Sequence, residues 1–161
     1  MSPPPIRPIR IARDLCDSLG DFASAGDLGQ VWPDGTPYVL DASPRRDWVR
    51  GARMPDVSFI ARDRLAAHAA QHAEDGPFRL APDLAVEIVF PGDSYTDINR
   101  KVSDYLRYGA RLVWVIDPDE RTIRIYTPDG RTLRDGDTLS GDPVLPGWSM
   151  PVRAVLDGPV S

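Results

Sequence analysis

The chain has 161 residues, 42% of them hydrophobic, which suits one cored domain and excludes wholesale disorder. A net charge of −5 excludes coating of nucleic acid by bulk positive charge, though it leaves room for a local basic face. The single cysteine, Cys16, excludes an intrachain disulfide, and no apolar run approaches the roughly 20 residues that span a bilayer.

Residues 1–8 are proline-rich and lack the apolar core of a secretion signal, so the chain reads as cytoplasmic, with no membrane partner. One domain is expected over residues 9–157, behind this N-terminal segment. Ala12, Leu15, Cys16, Leu19 and Phe22 recur at helical spacing, which predicts an amphipathic helix over 9–23. Short strands are expected near Val31 and Trp32 and over 38–40. Arg45, Arg46, Arg50 and Arg53 then crowd one stretch, either as a solvated loop or as a surface that contacts phosphate. Residues 54–60 read as a strand entered through Pro55, and 62–73 as an alanine-rich helix broken by Gly76-Pro77.

Residues 84–90 are apolar except for Glu87, the pattern of a buried central strand. Pro91-Gly92 ends it. Ser94 and Asp97 form a capping pattern that opens a helix running to about Tyr108, and Gly109 supplies its stop. Two more strands follow, over 112–116 and 122–126, with Asp117-Pro118 turning between them and Pro128-Asp129-Gly130 turning again. The tail is expected to return through short strands or turns near Leu139, Val144 and Trp148, with Trp114 and Trp148 in the core. The order of elements predicts an α/β fold, a mixed central sheet flanked by helices.

Three residues carry the chemistry. Glu87 has six apolar neighbours, and burying an unpaired carboxylate costs several kcal/mol. A metal ion, a cation or a proton must offset that cost. Asp56 stands in the preceding long strand, and two acids on neighbouring strands can converge on a hard divalent cation. Lys101 is the only lysine among 19 basic residues. On a helical wheel it borders the stripe of Ile98, Val102, Tyr105 and Leu106, so it can reach back towards the Glu87 strand. His68 and His72 can share a helix face but have no third ligand nearby. No phosphate-binding glycine loop and no serine-hydrolase elbow occurs.

Four strings, in this order, resemble the Uma-two family of putative restriction endonucleases over nearly the whole chain. They are Pro55-Asp56-Val57-Ser58-Phe59-Ile60, then Pro82-Asp83-Leu84-Ala85-Val86-Glu87-Ile88-Val89, then the spacing Asp97, Lys101, Tyr105, Gly109, and last Val113-Trp114-Val115-Ile116-Asp117-Pro118. The resemblance implies a PD-(D/E)XK nuclease core and a divalent-metal-dependent DNA endonuclease using Mg2+ or Mn2+. It implies Asp56, Glu87 and a main-chain carbonyl near Ile88 as metal ligands, with Asp56, Glu87 and Lys101 as the catalytic set. Val89 fills the lysine position of the Glu-x-Lys element. Family members of this type place the lysine on the following helix, where Lys101 stands.

The chain departs from the family in two places. The element with a further glutamate that the family places ahead of such a Ser-Pro-Pro turn is expected to be missing before Ser2-Pro3-Pro4, and Phe90-Pro91 stands where the family has a Ser-Pro. The alternative is therefore a non-catalytic nuclease-fold module, for binding or assembly, that has lost its N-terminal element. A β-rich domain for sugars or small ligands is the third class. It would need neither acid buried nor Lys101 near them. A homodimer is expected by family analogy, with apolar residues of the tail, Val144 to Val155, exposed to form its interface.

Overall fold

The structure, a computed structural model, describes residues 3–41, 51–127 and 130–159. Arg45, Arg46 and Arg50 of the basic stretch, and Pro128-Asp129 of the second turn, lie outside the described residues. Helix α1 (Ile6–Ala25) starts inside the proline-rich segment, three residues ahead of the predicted start. The reason is that Pro5 is the N-cap and Pro8 lies in the first turn, where amides have no intrahelical acceptor and proline costs nothing. Pro8, Ile11, Leu15, Leu19 and Ala23 then form its buried stripe.

Six strands form one sheet in chain order: β1 (Gly29–Pro33), β2 (Val57–Ala61), β3 (Leu84–Ile88), β4 (Leu112–Asp117), β5 (Thr122–Tyr126) and β6 (Arg131–Leu133). All neighbours are antiparallel except β3 and β4, which run parallel and are joined over the sheet by helix α3 (Tyr95–Arg107). Ser94 caps α3 as expected, its hydroxyl accepting from the Asp97 amide. Helix α2 (Arg62–Gln71) follows β2 and buries no residue. A hairpin of β7 (Thr138–Ser140) and β8 (Ser149–Pro151) leads into a last helix, α4 (Val152–Asp157). Residues 38–40 are not a strand: Tyr38 makes single bridges to Arg53 and Phe78 only. Among the described residues no helix is long and apolar enough to cross a membrane.

Each face of the sheet carries its own core, which is why β3 and β4 read as continuous apolar runs. Val57, Phe59, Leu84, Val86, Ile88 and Trp114 point to the side covered by α1, α4 and the tail. Ile60, Ala85, Val113 and Val115 point to the other side, against Ile98, Val102 and Tyr105 of α3. The tail corrects an expectation. Val144, Leu145, Trp148, Val152 and Val155 are all buried, and Trp148 stacks on Trp114 at 5.6 Å. The tail is core, so its apolar residues are not exposed and give no ground for a dimer.

Candidate functional site

The pairing of β2 with β3 sets Val57 opposite Val86, so Asp56 and Glu87 stand opposite one another one step beyond. Alternation along β3 sends Leu84, Val86 and Ile88 to one core and Glu87 to the other face, beneath α3. Glu87 is only 5% exposed there. Its Oε1 accepts a hydrogen bond from the Tyr105 hydroxyl at 2.8 Å, and Lys101 Nζ lies 3.7 Å from its Oε2. Lys101 and Tyr105 are one helical turn apart on α3, so a single docked helix delivers both. Asp56 Oδ2 accepts from the Ile88 amide at 2.7 Å, and the Asp56 amide donates to the Val86 carbonyl at 3.0 Å. Asp56 is thus locked to the end of the strand that carries Glu87.

The two acids share one electrostatic environment. Burial pushes Glu87 up to about 7; Lys101 opposes this, the Asp56 charge adds to it, and the Tyr105 hydrogen bond and Arg53 oppose it. Burial also pushes Asp56 up, to about 6, against the Ile88 hydrogen bond and Lys101 and with help from Asp34 and Asp93.

The donor set fits a hard divalent cation. One oxygen of each acid is committed to a protein donor, Asp56 Oδ2 to Ile88 and Glu87 Oε1 to Tyr105. Among the described residues, Asp56 Oδ1 accepts no hydrogen bond and Glu87 Oε2 has only the longer ion pair to Lys101. No group of three or more His, Cys, Asp or Glu that could hold a metal forms among the described residues. Two carboxylates with a main-chain carbonyl suit Mg2+, which keeps several waters and needs no all-protein cage.

Two features of the site were not anticipated. Tyr105 reads in sequence as one apolar residue of the α3 stripe, yet its hydroxyl is the hydrogen-bond donor to Glu87. Arg53 donates Nε and Nη2 to Asp104 Oδ2, at 3.1 and 2.5 Å. Asp104 sits three residues beyond Lys101 on α3, a spacing that was available as a signal. Its partner 51 residues earlier gave none.

Other conspicuous polar residues have structural partners. Asp83, 2% exposed, accepts from the Ala61 amide at 2.8 Å and pairs with Arg64 at 2.9 Å, at the opposite end of β3. Asp117 forms the expected turn: its Oδ1 accepts from the amides of Asp119 and Glu120, and its Oδ2 accepts from the Tyr95 hydroxyl. His68 and His72 do not share a helix face, because α2 ends at Gln71 and His72 is its extended C-cap, but their rings meet with centroids 4.5 Å apart. His68 Nε2, however, accepts from the Arg79 amide at 2.9 Å, which ties α2 down.

A family model named Uma2, with the description putative restriction endonuclease, matches residues 1–153. The chain belongs to the Uma2 family. The fold agrees with this. A crystal structure of a putative nuclease belonging to DUF820, from Anabaena variabilis ATCC 29413, superposes with a TM-score of 0.71 at 19% identity, covering 91% of this chain and 78% of that one. The Uma2 chain therefore has the restriction-endonuclease-like mixed sheet flanked by helices. No relative among curated proteins matches it.

Proposed function

We propose that this Uma2 chain is a DNA endonuclease that hydrolyses phosphodiesters with Mg2+ or Mn2+, held by Asp56, Glu87 and the main-chain carbonyl of Ile88. One observation carries the reading. A buried glutamate on β3 and a half-buried aspartate just ahead of β2 face each other with their affinity for protons raised, and the only lysine in the chain lies 3.7 Å from the glutamate. As two charges such a pair is unfavourable unless a cation joins it; without one, a proton takes its place.

A divalent cation bound there would polarise a phosphoryl oxygen and lower the pKa of a water. The remaining work falls to the chain. The Tyr105 hydroxyl holds Glu87 Oε1, so Oε2 is the oxygen turned towards Lys101. The Ile88 amide fixes Asp56 Oδ2 and leaves Oδ1 to the ligand. The Lys101 ammonium, a compact donor, orients the attacking water and stabilises the charge that grows on the phosphorus oxygens. The attacking water gives up its proton to solvent, and the leaving ester oxygen takes one from solvent.

Plasmid DNA incubated with Mg2+ or Mn2+ tests the proposal, with wild type compared to Asp56→Asn and Glu87→Gln. Cleavage by wild type alone is the expected result. A wild type that neither cuts nor gains thermal stability from either metal would establish the non-catalytic module instead.

A further inference from the structure

We propose that Arg53 is the residue that binds a DNA phosphate beside the metal site, a role that rests on the nuclease reading above. The charges around the site motivate it. Glu87 feels the charge of Asp56, Asp56 feels Asp34 and Asp93, and Asp104 lies alongside on α3. A phosphodiester approaching this acid-rich mouth is repelled unless cations receive it. Among the described residues, Lys101 acts as a cation on both acids and Arg53 on Glu87. Lys101 is engaged beside Glu87 Oε2. Lys101 serves the phosphorus under attack, and among the described residues Arg53 is the further cation placed to receive a phosphate beside it.

Its geometry fits that task. The Arg53 main chain is fixed by two hydrogen bonds with Tyr38, each 2.8 Å long, and the Tyr38 hydroxyl is anchored on Ser58 Oγ at 2.6 Å. The guanidinium is therefore presented from a rigid base. Asp104 takes Nε and Nη2 with a single oxygen, and Nη1 makes no hydrogen bond among the described residues. An arginine serving only as an ion-pair partner commonly engages both carboxylate oxygens in a fork. Here Asp104 steers the guanidinium while leaving one of its amino groups to bind an anion. The side chain keeps 28% of its surface exposed, so a ligand can reach it. Asp104, Lys101 and Tyr105 share one face of α3, which ties the position of Arg53 to that of the catalytic groups.

The experiment is equilibrium binding of a fluorescein-labelled DNA duplex across a series of salt concentrations. Ca2+ occupies the acidic site, because it takes oxygen ligands in a looser shell than Mg2+. Losing one phosphate contact lowers the slope of log affinity against log salt by about 0.9. Arg53→Ala should show that loss, and Arg53→Lys should keep most of the slope at weaker affinity. Arg100→Ala should keep the whole slope, since Arg100 is exposed on α3 and pairs with Asp97. Stabilisation of Arg53→Ala by Mn2+ should match that of wild type, showing that the metal site is intact.

An unchanged slope in Arg53→Ala, or an equal fall in Arg100→Ala, overturns the assignment while wild-type cleavage keeps the nuclease reading. Loss of Mn2+ stabilisation in Arg53→Ala also overturns it, in favour of a structural role. A wild type that neither binds nor cuts DNA overturns both.

Discussion

Replacing Glu87 by Gln tests the electrostatic reading of the site without any DNA. Glutamine keeps an oxygen to accept the Tyr105 hydroxyl, so packing changes little and the charge is removed. Burial raises Glu87 from 4.5 to about 7, so the folded chain holds this proton more tightly than the unfolded chain does. Its stabilising contribution is complete below 4.5, falls as pH rises, and is gone above about 7. The rise corresponds to roughly 3 kcal/mol. For a chain of this size that is a difference of roughly 10 °C in melting temperature. Asp56, raised to about 6, tilts the wild type in the same direction at lower pH. The assay is thermal and urea unfolding of both proteins in EDTA, from pH 5 to pH 8. Glu87→Gln should gain on wild type as pH rises from 5 to about 7, level off beyond that, and stand above it at pH 8. Parallel curves, or a gain that shrinks as pH rises, would refute the reasoning.

Further outcomes follow from the same geometry. Mg2+ or Mn2+ should raise the melting temperature of wild type at pH 8, by mass action on the folded state, and should not do so in Asp56→Asn or Glu87→Gln. Lys101→Arg and Lys101→Met should both lose metal-dependent cleavage while keeping the metal-induced stabilisation; cleavage by Lys101→Arg at the wild-type rate would reduce Lys101 to a nearby positive charge. Tyr105→Phe should cost about 1–3 kcal/mol at pH 8 in EDTA and less at pH 5, because it strips a buried carboxylate of its donor. A cost independent of pH in urea titrations would mean that Tyr105 acts through packing alone. Trp148→Ala should cost about 3–5 kcal/mol, as expected of a buried tryptophan. A cost under 1 kcal/mol would contradict the burial of the tail.

What the sequence disclosed follows from how far each signal reaches along the chain. The strand around Glu87 was legible because burial on both faces leaves a single charged residue conspicuous among apolar neighbours. Lys101 was legible because helical periodicity fixes which residues border a stripe. The early start of α1 was hidden, since prolines suggest a coil although the first turn tolerates them. The strand β6 and the helix α4 were missed because three and six residues are too few to establish a period. The exposed-tail expectation failed for a related reason: Val144, Leu145 and Trp148 pack against a sheet formed much earlier in the chain. Tyr105 was counted as apolar, and only the structure reveals where its hydroxyl points. The Arg53–Asp104 contact joins an irregular segment to a helix, and nothing local announces it.

Helix α3 has a role beyond joining two parallel strands. Lys101, Asp104 and Tyr105 all project from it, and their direction is set by Ile98, Val102 and Tyr105 seated on the sheet. The site thus depends on a single angular setting. Inserting one residue between Ile98 and Lys101 would put Ile98 about 100° out of phase with Lys101, Val102, Asp104 and Tyr105. The helix could then not seat Ile98 and Tyr105 together without shifting the site groups, whereas the same insertion in the loop between β3 and α3 would leave that setting unchanged. Evolution can lengthen the loop freely, but the spacing from Ile98 to Tyr105 within the helix is fixed by the site.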